Sequence, residues 1–361
     1  MGQRQHIRTK VIVVDPVHPE PTIIERAAKL FSDGEIVVFP TETVYGLGAD
    51  AFQPAALERI FAAKGRPFSD PLIVHIADES DLELLTTTVP ERAERLVQKF
   101  WPGPLTLILP RGPRVPRMVT AGLETVAIRM PRHPVALALI RALASPIAAP
   151  SANRFMHVSP TTAQHALADL AGRVPLILDA GPCEVGVEST VLDLCSEVPR
   201  ILRPGGVGLE ALRSVLPDVQ LPIHRKVVSE REEFVAEKAP GQLLTHYAPT
   251  IPLLLFDGTV EAMQASMLAE LRRRGMRGER VGVLVADEDI PVFRDSGALI
   301  HSLGSADDPA GVAASLFASL RALEEAQVQV ILCRNFGDQG LGLAIRDRLL
   351  KAAGGQVFGQ S

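Results

Sequence analysis

The chain has 361 residues, 47% of them hydrophobic, with 37 Lys and Arg against 42 Asp and Glu and a formal net charge of −5. A chain this long and apolar can bury a large core, divides more readily into two domains than one, and is not expected to be disordered as a whole. The acidic balance gives no bulk attraction to nucleic acid or anionic lipid, so any RNA contact would need a local basic patch.

Apolar periodicity predicts a strand at about 10–14, a helix at 21–33, a strand at 35–39, a helix at 54–63 and a strand at 71–76. A helix at 90–99, strands at 105–109 and 125–129, and helices at 134–144 and 161–170 follow, then strands at 176–179, 190–194 and 200–202. Ser159-Pro160-Thr161-Thr162 reads as a helix start with a hydroxyl cap. The mixture is α+β or open α/β. From residue 222 to 249 the pattern loses its regularity, with a charged run, Pro-Gly and His-Tyr-Ala-Pro, and reads as an interdomain linker. Beyond it, strand-like IPLLLFDG, RVGVLVAD, GALIHSLG and VQVILCRNF alternate with helical patterns near 260–274, 309–325 and 341–353. That alternation predicts a small α/β sheet with helices on both faces. The expected domains are therefore 1–221 and 250–361, joined by 222–249.

Cys183, Cys195 and Cys333 form no CxxC pair, so neither zinc ligation nor a disulfide framework is signalled, and a reduced cytoplasmic setting is expected. The basic MGQRQH passes into a strand-like run, and no stretch approaches the ~20 apolar residues that span a bilayer. No membrane partner is expected.

Polar clusters interrupt the apolar runs. Gly46 and Gly48 in GLGADAF follow a strand but complete neither a Walker A loop nor a GxGxxG, so a tight, closely packed turn is the expectation. Thr41, Thr43 and Tyr45 alternate along an extended stretch and would point to one side. Lys64 and Arg66 end a helix, where they would complement its dipole; equally, with Gly65 between them, they can close on a polyphosphate. His75 ends the strand-like PLIVHI, and Arg129 ends a strand where it can pair with a carboxylate. Ala149-Pro150-Ser151-Ala152-Asn153 is a turn whose hydroxyl and amide can bind phosphate or ribose. Ser189 precedes a strand, Arg203 precedes a turn, and Trp101 in WPGPLTLIL is assigned to packing.

PTETVYGLG, KGRP with DPLIVHI, WPGPLTLIL, VAIRMP, APSAN, GVESTV and LRPGG occur together, in the order of the YrdC-like family, over roughly residues 18–210. The chain resembles that family, and HYAP at 246–249 with GLGLAIRDRLLKAA at 340–353 resembles its long, two-domain form. The resemblance implies an α+β open twisted sheet with a basic concave cleft, followed by a small Rossmann-like α/β domain. It also implies an enzyme, a nucleotidyltransferase that makes threonylcarbamoyl-AMP and pyrophosphate from L-threonine, bicarbonate and ATP toward threonylcarbamoyladenosine in tRNA. By motif, Thr43, His75, Arg129, the backbone at Ala149, and Ser189 would hold threonine. Lys64, Arg66, Asp70, Thr125, Ser151, Asn153, Ser159 and Arg203 would hold ATP, with Lys64 and Arg66 serving catalysis and Tyr247 approaching from a lid. Mg²⁺ would arrive bound to ATP rather than in a protein metal site, and tRNA-modification proteins would receive the adenylate. Two departures from the family pattern are Asp70, where many members carry Asn, and APGQLLT in the linker, where SPGMKYK is frequent. A carbamoyl-adenylate-forming domain and a non-catalytic RNA-binding module are the alternative readings.

Overall fold

The computed structural model describes residues 7–221 and 247–359. Its residues divide by contact into a first unit of 7–155, 160–184 and 188–221 and a second of 156–159, 185–187 and 247–359. The expected linker lies outside the described residues as far as 246; residues 247–249 belong to the second unit.

In the first unit the chain runs β1 (Lys10–Val13), α1 (Pro21–Ser32), β2 (Val37–Phe39), β3 (Gly46–Asp50), α2 (Pro54–Lys64), β4 (Ile73–His75), α3 (Leu82–Leu85) and α4 (Glu91–Phe100). It continues through β5 (Leu105–Pro110), β6 (Thr125–Arg129), α5 (Pro134–Leu143), β7 (Ile147–Ala148), α6 (Ala163–Leu170), β8 (Leu176–Asp179), β9 (Thr190–Asp193), β10 (Arg200–Arg203) and α7 (Leu209–Arg213). Proline opens α1, α2 and α5, where a missing N–H deprives no helical bond. The α6 cap is Thr162, whose hydroxyl accepts from the His165 N–H at 3.2 Å.

The strands form one ten-stranded mixed sheet in the order β1-β8-β2-β3-β7-β4-β6-β5-β9-β10. One expectation is corrected here: GLGAD is not a turn but the buried strand β3, antiparallel to both β2 and β7. Its glycines serve close packing, since a Cβ on Gly48 would stand 2.7 Å from the Phe39 ring and 2.8 Å from Ile147. Thr41 to Val44 is likewise a bend rather than an extended run, because the Thr41 hydroxyl donates to Val44 O at 2.6 Å and accepts from the Val44 N–H at 3.2 Å.

Strand alternation gives the sheet two different faces. On one, Val38, Leu47, Val74, Ile76, Val126, Ile128, Leu105, Leu107 and Leu192 bury the main core together with residues of α2 and α4. On the other, α1 and α5 cover only part of the width, packing Phe31, Val135 and Leu139 with Val37, Phe39, Leu176, Leu178 and Ile147. Farther along that same face Ile73, Ala127, Ile108 and Val191, from β4, β6, β5 and β9, form a separate small apolar patch with Leu202.

The second unit holds β11 (Leu253–Phe256), α8 (Val260–Gly275), β12 (Val281–Val285), α9 (Ile290–Phe293), β13 (Leu299–Ser302), α10 (Pro309–Glu325), β14 (Val330–Arg334), α11 (Leu341–Ala352) and β15 (Val357–Phe358). Its five strands are all parallel, in the order β13-β12-β14-β11-β15. Met263, Met267 and Leu271 of α8 pack on Val281, Val283, Val285, Val330 and Leu332. On the opposite face Leu323 of α10 lies against Gly282. Helices on both faces of a parallel sheet are what the alternating pattern predicted, and the fold is the small Rossmann-like one the resemblance implied. Among the described residues no helix is long and apolar enough to cross a membrane.

Candidate active site

The apolar patch of the second face is the floor of the candidate site, and the strands carry polar residues to both of its ends. His75 lies two residues beyond Ile73, and Arg129 two beyond Ala127, so both share the floor's face, and β4 and β6 pair them directly in register. Thr125, two residues before Ala127, shares the face at the opposite end, about 13 Å from Arg129 at a strand's rise. The residues expected to hold threonine gather at the Arg129 end.

At that end the Arg129 guanidinium is buried and many-sided. Nη1 donates to Thr43 Oγ1 at 2.9 Å, Nε donates to Gly103 O at 3.2 Å, and Nη2 stands 2.6 Å from Glu42 Oε1. Thr43 and Thr41 hydroxyls are 2.8 Å apart, and since the Thr41 proton goes to Val44 O, the Thr43 proton goes to Thr41. Thr43 Oγ1 is thus oriented by its neighbours. His75 is buried against the edge of Phe39, and burial first, then the Arg129 charge, pushes its pKa down to about 3. It is therefore neutral at ordinary pH, and its Nδ1 makes no hydrogen bond among the described residues. The Ala149 N–H donates to Ile73 O at 2.9 Å, which leaves its carbonyl as the group it can offer a ligand.

Ser189 joins this end through its hydroxyl, 2.8 Å from Thr106 Oγ1. Arg203 reaches it because β10 is bulged: Ile201 opposes Leu192, but Arg203 opposes Val191, so the extra residue turns Arg203 onto the floor's face. Its Nε and Nη2 donate to Ser189 O at 3.2 and 3.1 Å, and Nη2 reaches Ser189 Oγ at 3.2 Å.

The cationic end is built around α2. Gly65, in the left-handed region at φ 66°, ends that helix and separates two cations that are both buried, at 3% and 6% exposure for Lys64 and Arg66. Both cations still stand at the helix's C-terminal end, as dipole complementation asks, but inside the protein rather than in solvent. Lys64 Nζ donates to Ser151 O at 2.6 Å and to Asn153 O at 2.5 Å, clamping the APSAN turn onto the helix end. Arg66 donates to Asp70 O at 3.2 Å and Pro71 O at 2.7 Å and pairs with Asp70 Oδ1 at 2.9 Å. Burial, reinforced by Arg66, holds the Lys64 pKa well below the usual lysine range. Burial raises that of Asp70 against the opposing charges of Arg66, Lys64 and Arg203.

Lys64 is thus brought together with Ser151 and Asn153, and Arg66 with Asp70, while Thr43, His75 and Arg129 meet at the other end, with Ser189 tied to Arg203. Ser159 is fully buried in the segment 156–159, which clusters with the second unit. Tyr247 is buried in the second unit at φ 59°, stacked on Phe317 at 5.9 Å and lying under the Arg348 guanidinium at 4.8 Å. Sequence reasoning missed Glu42 and Thr106. The signal for Glu42 was a carboxylate between two apolar runs, which must find a cation if the segment is buried.

Comparison with known proteins identifies the class. Residues 29–205 match the Sua5, YciO and YrdC family model, described as "Telomere recombination", and residues 207–354 match "Threonylcarbamoyl-AMP synthase, C-terminal domain". Threonylcarbamoyl-AMP synthase of Bacillus subtilis is 49% identical, covering 96% of this chain and 98% of that protein. Threonylcarbamoyl-AMP synthase of Pyrococcus abyssi is 42% identical over 93% of this chain and 95% of that protein. The crystal structure of P. abyssi Sua5 complexed with L-threonine superposes with a TM-score of 0.88 at 40% identity, covering 96% of this chain and 98% of that one. The mixed-sheet first unit is of the YrdC class. The chain belongs to the threonylcarbamoyl-AMP synthase family.

Proposed function

We propose that this chain is an L-threonylcarbamoyladenylate synthase that converts L-threonine, bicarbonate and ATP into threonylcarbamoyl-AMP and pyrophosphate. The observation that carries the reading is a carboxylate-binding arginine at one end of an apolar floor and, where β4 begins at the other end, a buried Lys–Arg pair tied to residues 70–71 and 151–153. Arg129 offers a two-pronged partner for the amino-acid carboxylate, with neutral His75, Thr43 and Ser189 available to its polar groups. Lys64 and Arg66 supply charge that a triphosphate requires, with Ser151, Asn153 and Thr125 toward the same end, and Arg203 adds charge from beside Ser189.

The ammonium of threonine and bicarbonate give an N-carboxylate, water and a proton. That carboxylate then forms a bond to the α-phosphorus while the bond to the departing pyrophosphate breaks. Neither step requires a covalent nucleophile from the protein. The protein's contribution is to hold two substrates on one floor and to oppose charge building on the leaving group. Lys64 and Arg66, fixed by backbone carbonyls before substrate arrives, need little reorganisation to do so. Mg²⁺ would come with the triphosphate. Asp70 Oδ2, buried and without a hydrogen bond among the described residues, is the protein oxygen suited to it, and the ion would neutralise phosphate charge.

The mixed anhydride product is suited to transfer onto a tRNA nucleoside by a modifying enzyme. A cytoplasmic setting agrees with the free thiols of Cys183, Cys195 and Cys333. The test is pyrophosphate release with threonine and bicarbonate omitted in turn. Release must require both, and release independent of threonine overturns the reading.

A further inference from the structure

We propose that Glu42 is a specificity-determining residue that receives the α-ammonium of the amino acid, so that Glu42 and Arg129 together read a zwitterion. The proposal deepens the function above and rests on it. Glu42 and Arg129 are 3% exposed each, and their charges meet at 2.6 Å between Oε1 and Nη2. Removing two charges from water costs more than such a contact returns unless the remaining lone pairs and protons are also satisfied. Here they are not. Neither oxygen of Glu42 makes an aligned hydrogen bond among the described residues, and neither does Arg129 Nη2.

The neighbouring groups do not supply what is missing. Thr43 gives its proton to Thr41 and accepts from Arg129 Nη1, so it has none for Glu42. Neither the Cys183 thiol nor the His133 ring, both shifted by burial toward their neutral forms, makes a hydrogen bond to Glu42. A carboxylate with unused acceptor capacity therefore lies beside an arginine with an unused donor. A free amino acid carries the complement of both on one Cα: a carboxylate for Arg129 and an ammonium with three donors for Glu42. Its arrival would replace one poorly aligned contact with two charge-assisted sets of hydrogen bonds at no change in the site's net charge.

The experiment compares binding of L-threonine with that of 2,3-dihydroxybutanoate, which keeps the carboxylate and side chain but carries a hydroxyl in place of the amine. Calorimetry on the full-length protein should show wild type preferring threonine by about 10- to 100-fold, the range for a charge-assisted contact with a buried partner. In Glu42→Gln the preference should fall to about threefold or less, while Glu42→Asp should retain part of it. A residue that only props Arg129 would weaken both ligands equally. The proposal is overturned if the Gln variant keeps the wild-type ratio, or if wild type binds the two ligands equally, a result that needs no variant to fold. Failure of wild type to bind threonine at all would instead overturn the function on which the proposal rests.

Discussion

Arg203 grips Ser189 twice, through its backbone oxygen at 3.2 and 3.1 Å and through its hydroxyl at 3.2 Å, while the same guanidinium acts electrostatically on Asp70. One side chain thus links the group expected to hold threonine to the group expected to hold ATP. Arg203→Lys keeps the charge but lacks the fork that spans several acceptors. Both the threonine and ATP Michaelis constants should rise in this variant, by about tenfold each, and initial-rate kinetics with one substrate varied at a time will show it. A rise confined to ATP would mean that the Ser189 contacts are only structural.

Lys64→Ala and Arg66→Ala should each reduce pyrophosphate release by at least about a hundredfold, as expected when a charge opposing the transition state is removed. Burial adds a second consequence. Lys64 satisfies the carbonyls of Ser151 and Asn153, so its removal should also destabilise the first unit by about 1–3 kcal/mol. Calorimetric melting will separate the effects, because turnover measured well below the melting temperature should remain low in correctly folded protein.

Arg129→Lys should weaken threonine use more than ATP binding. Lysine can approach a carboxylate but cannot donate to Thr43, Gly103 and substrate from one plane. Threonine titration followed by nucleotide titration of the same variant checks the order. A larger loss of ATP affinity would assign Arg129 to the nucleotide.

His75 predicts an acid limb in stability. Its folded pKa is pushed down to about 3 from 6.5, chiefly by burial, so above pH 6.5 neither folded nor unfolded chain protonates it. As pH falls below 6.5 the unfolded chain takes up the proton and the folded chain does not, so stability is lost through that window at up to about 1.4 kcal/mol per pH unit. Urea denaturation at pH 7 and pH 5 should show His75→Gln losing about 1–2 kcal/mol less than wild type over that interval.

Tyr247→Ala should lower the stability of the second unit by about 3 kcal/mol or more, because it removes a buried ring held between Phe317 and Arg348. Tyr247→Phe keeps the ring and should melt close to wild type. If the phenylalanine variant is stable yet slow in pyrophosphate release, the hydroxyl serves the reaction as a lid would.

Much of this protein is legible in its sequence. Helix 309–325 and strands 125–129 and 176–179 are fixed by local periodicity, and proline marks where α1, α2 and α5 begin, because these signals depend on residues only a few positions apart. The shared order of seven motifs likewise marked the family and nearly every candidate residue. Tertiary structure alone decided which side of each ambiguity won. GLGAD became a strand because Phe39 and Ile147, distant in the chain, close on Gly48. Lys64 became a buried donor because the APSAN turn, 87 and 89 residues beyond it, presents carbonyls to its ammonium. Glu42 escaped notice because its meaning lies in Arg129, on a strand three places across the sheet. Local sequence specifies backbone geometry through short-range sterics and hydrogen bonding; the burial of a charge is settled by what the rest of the chain brings to it.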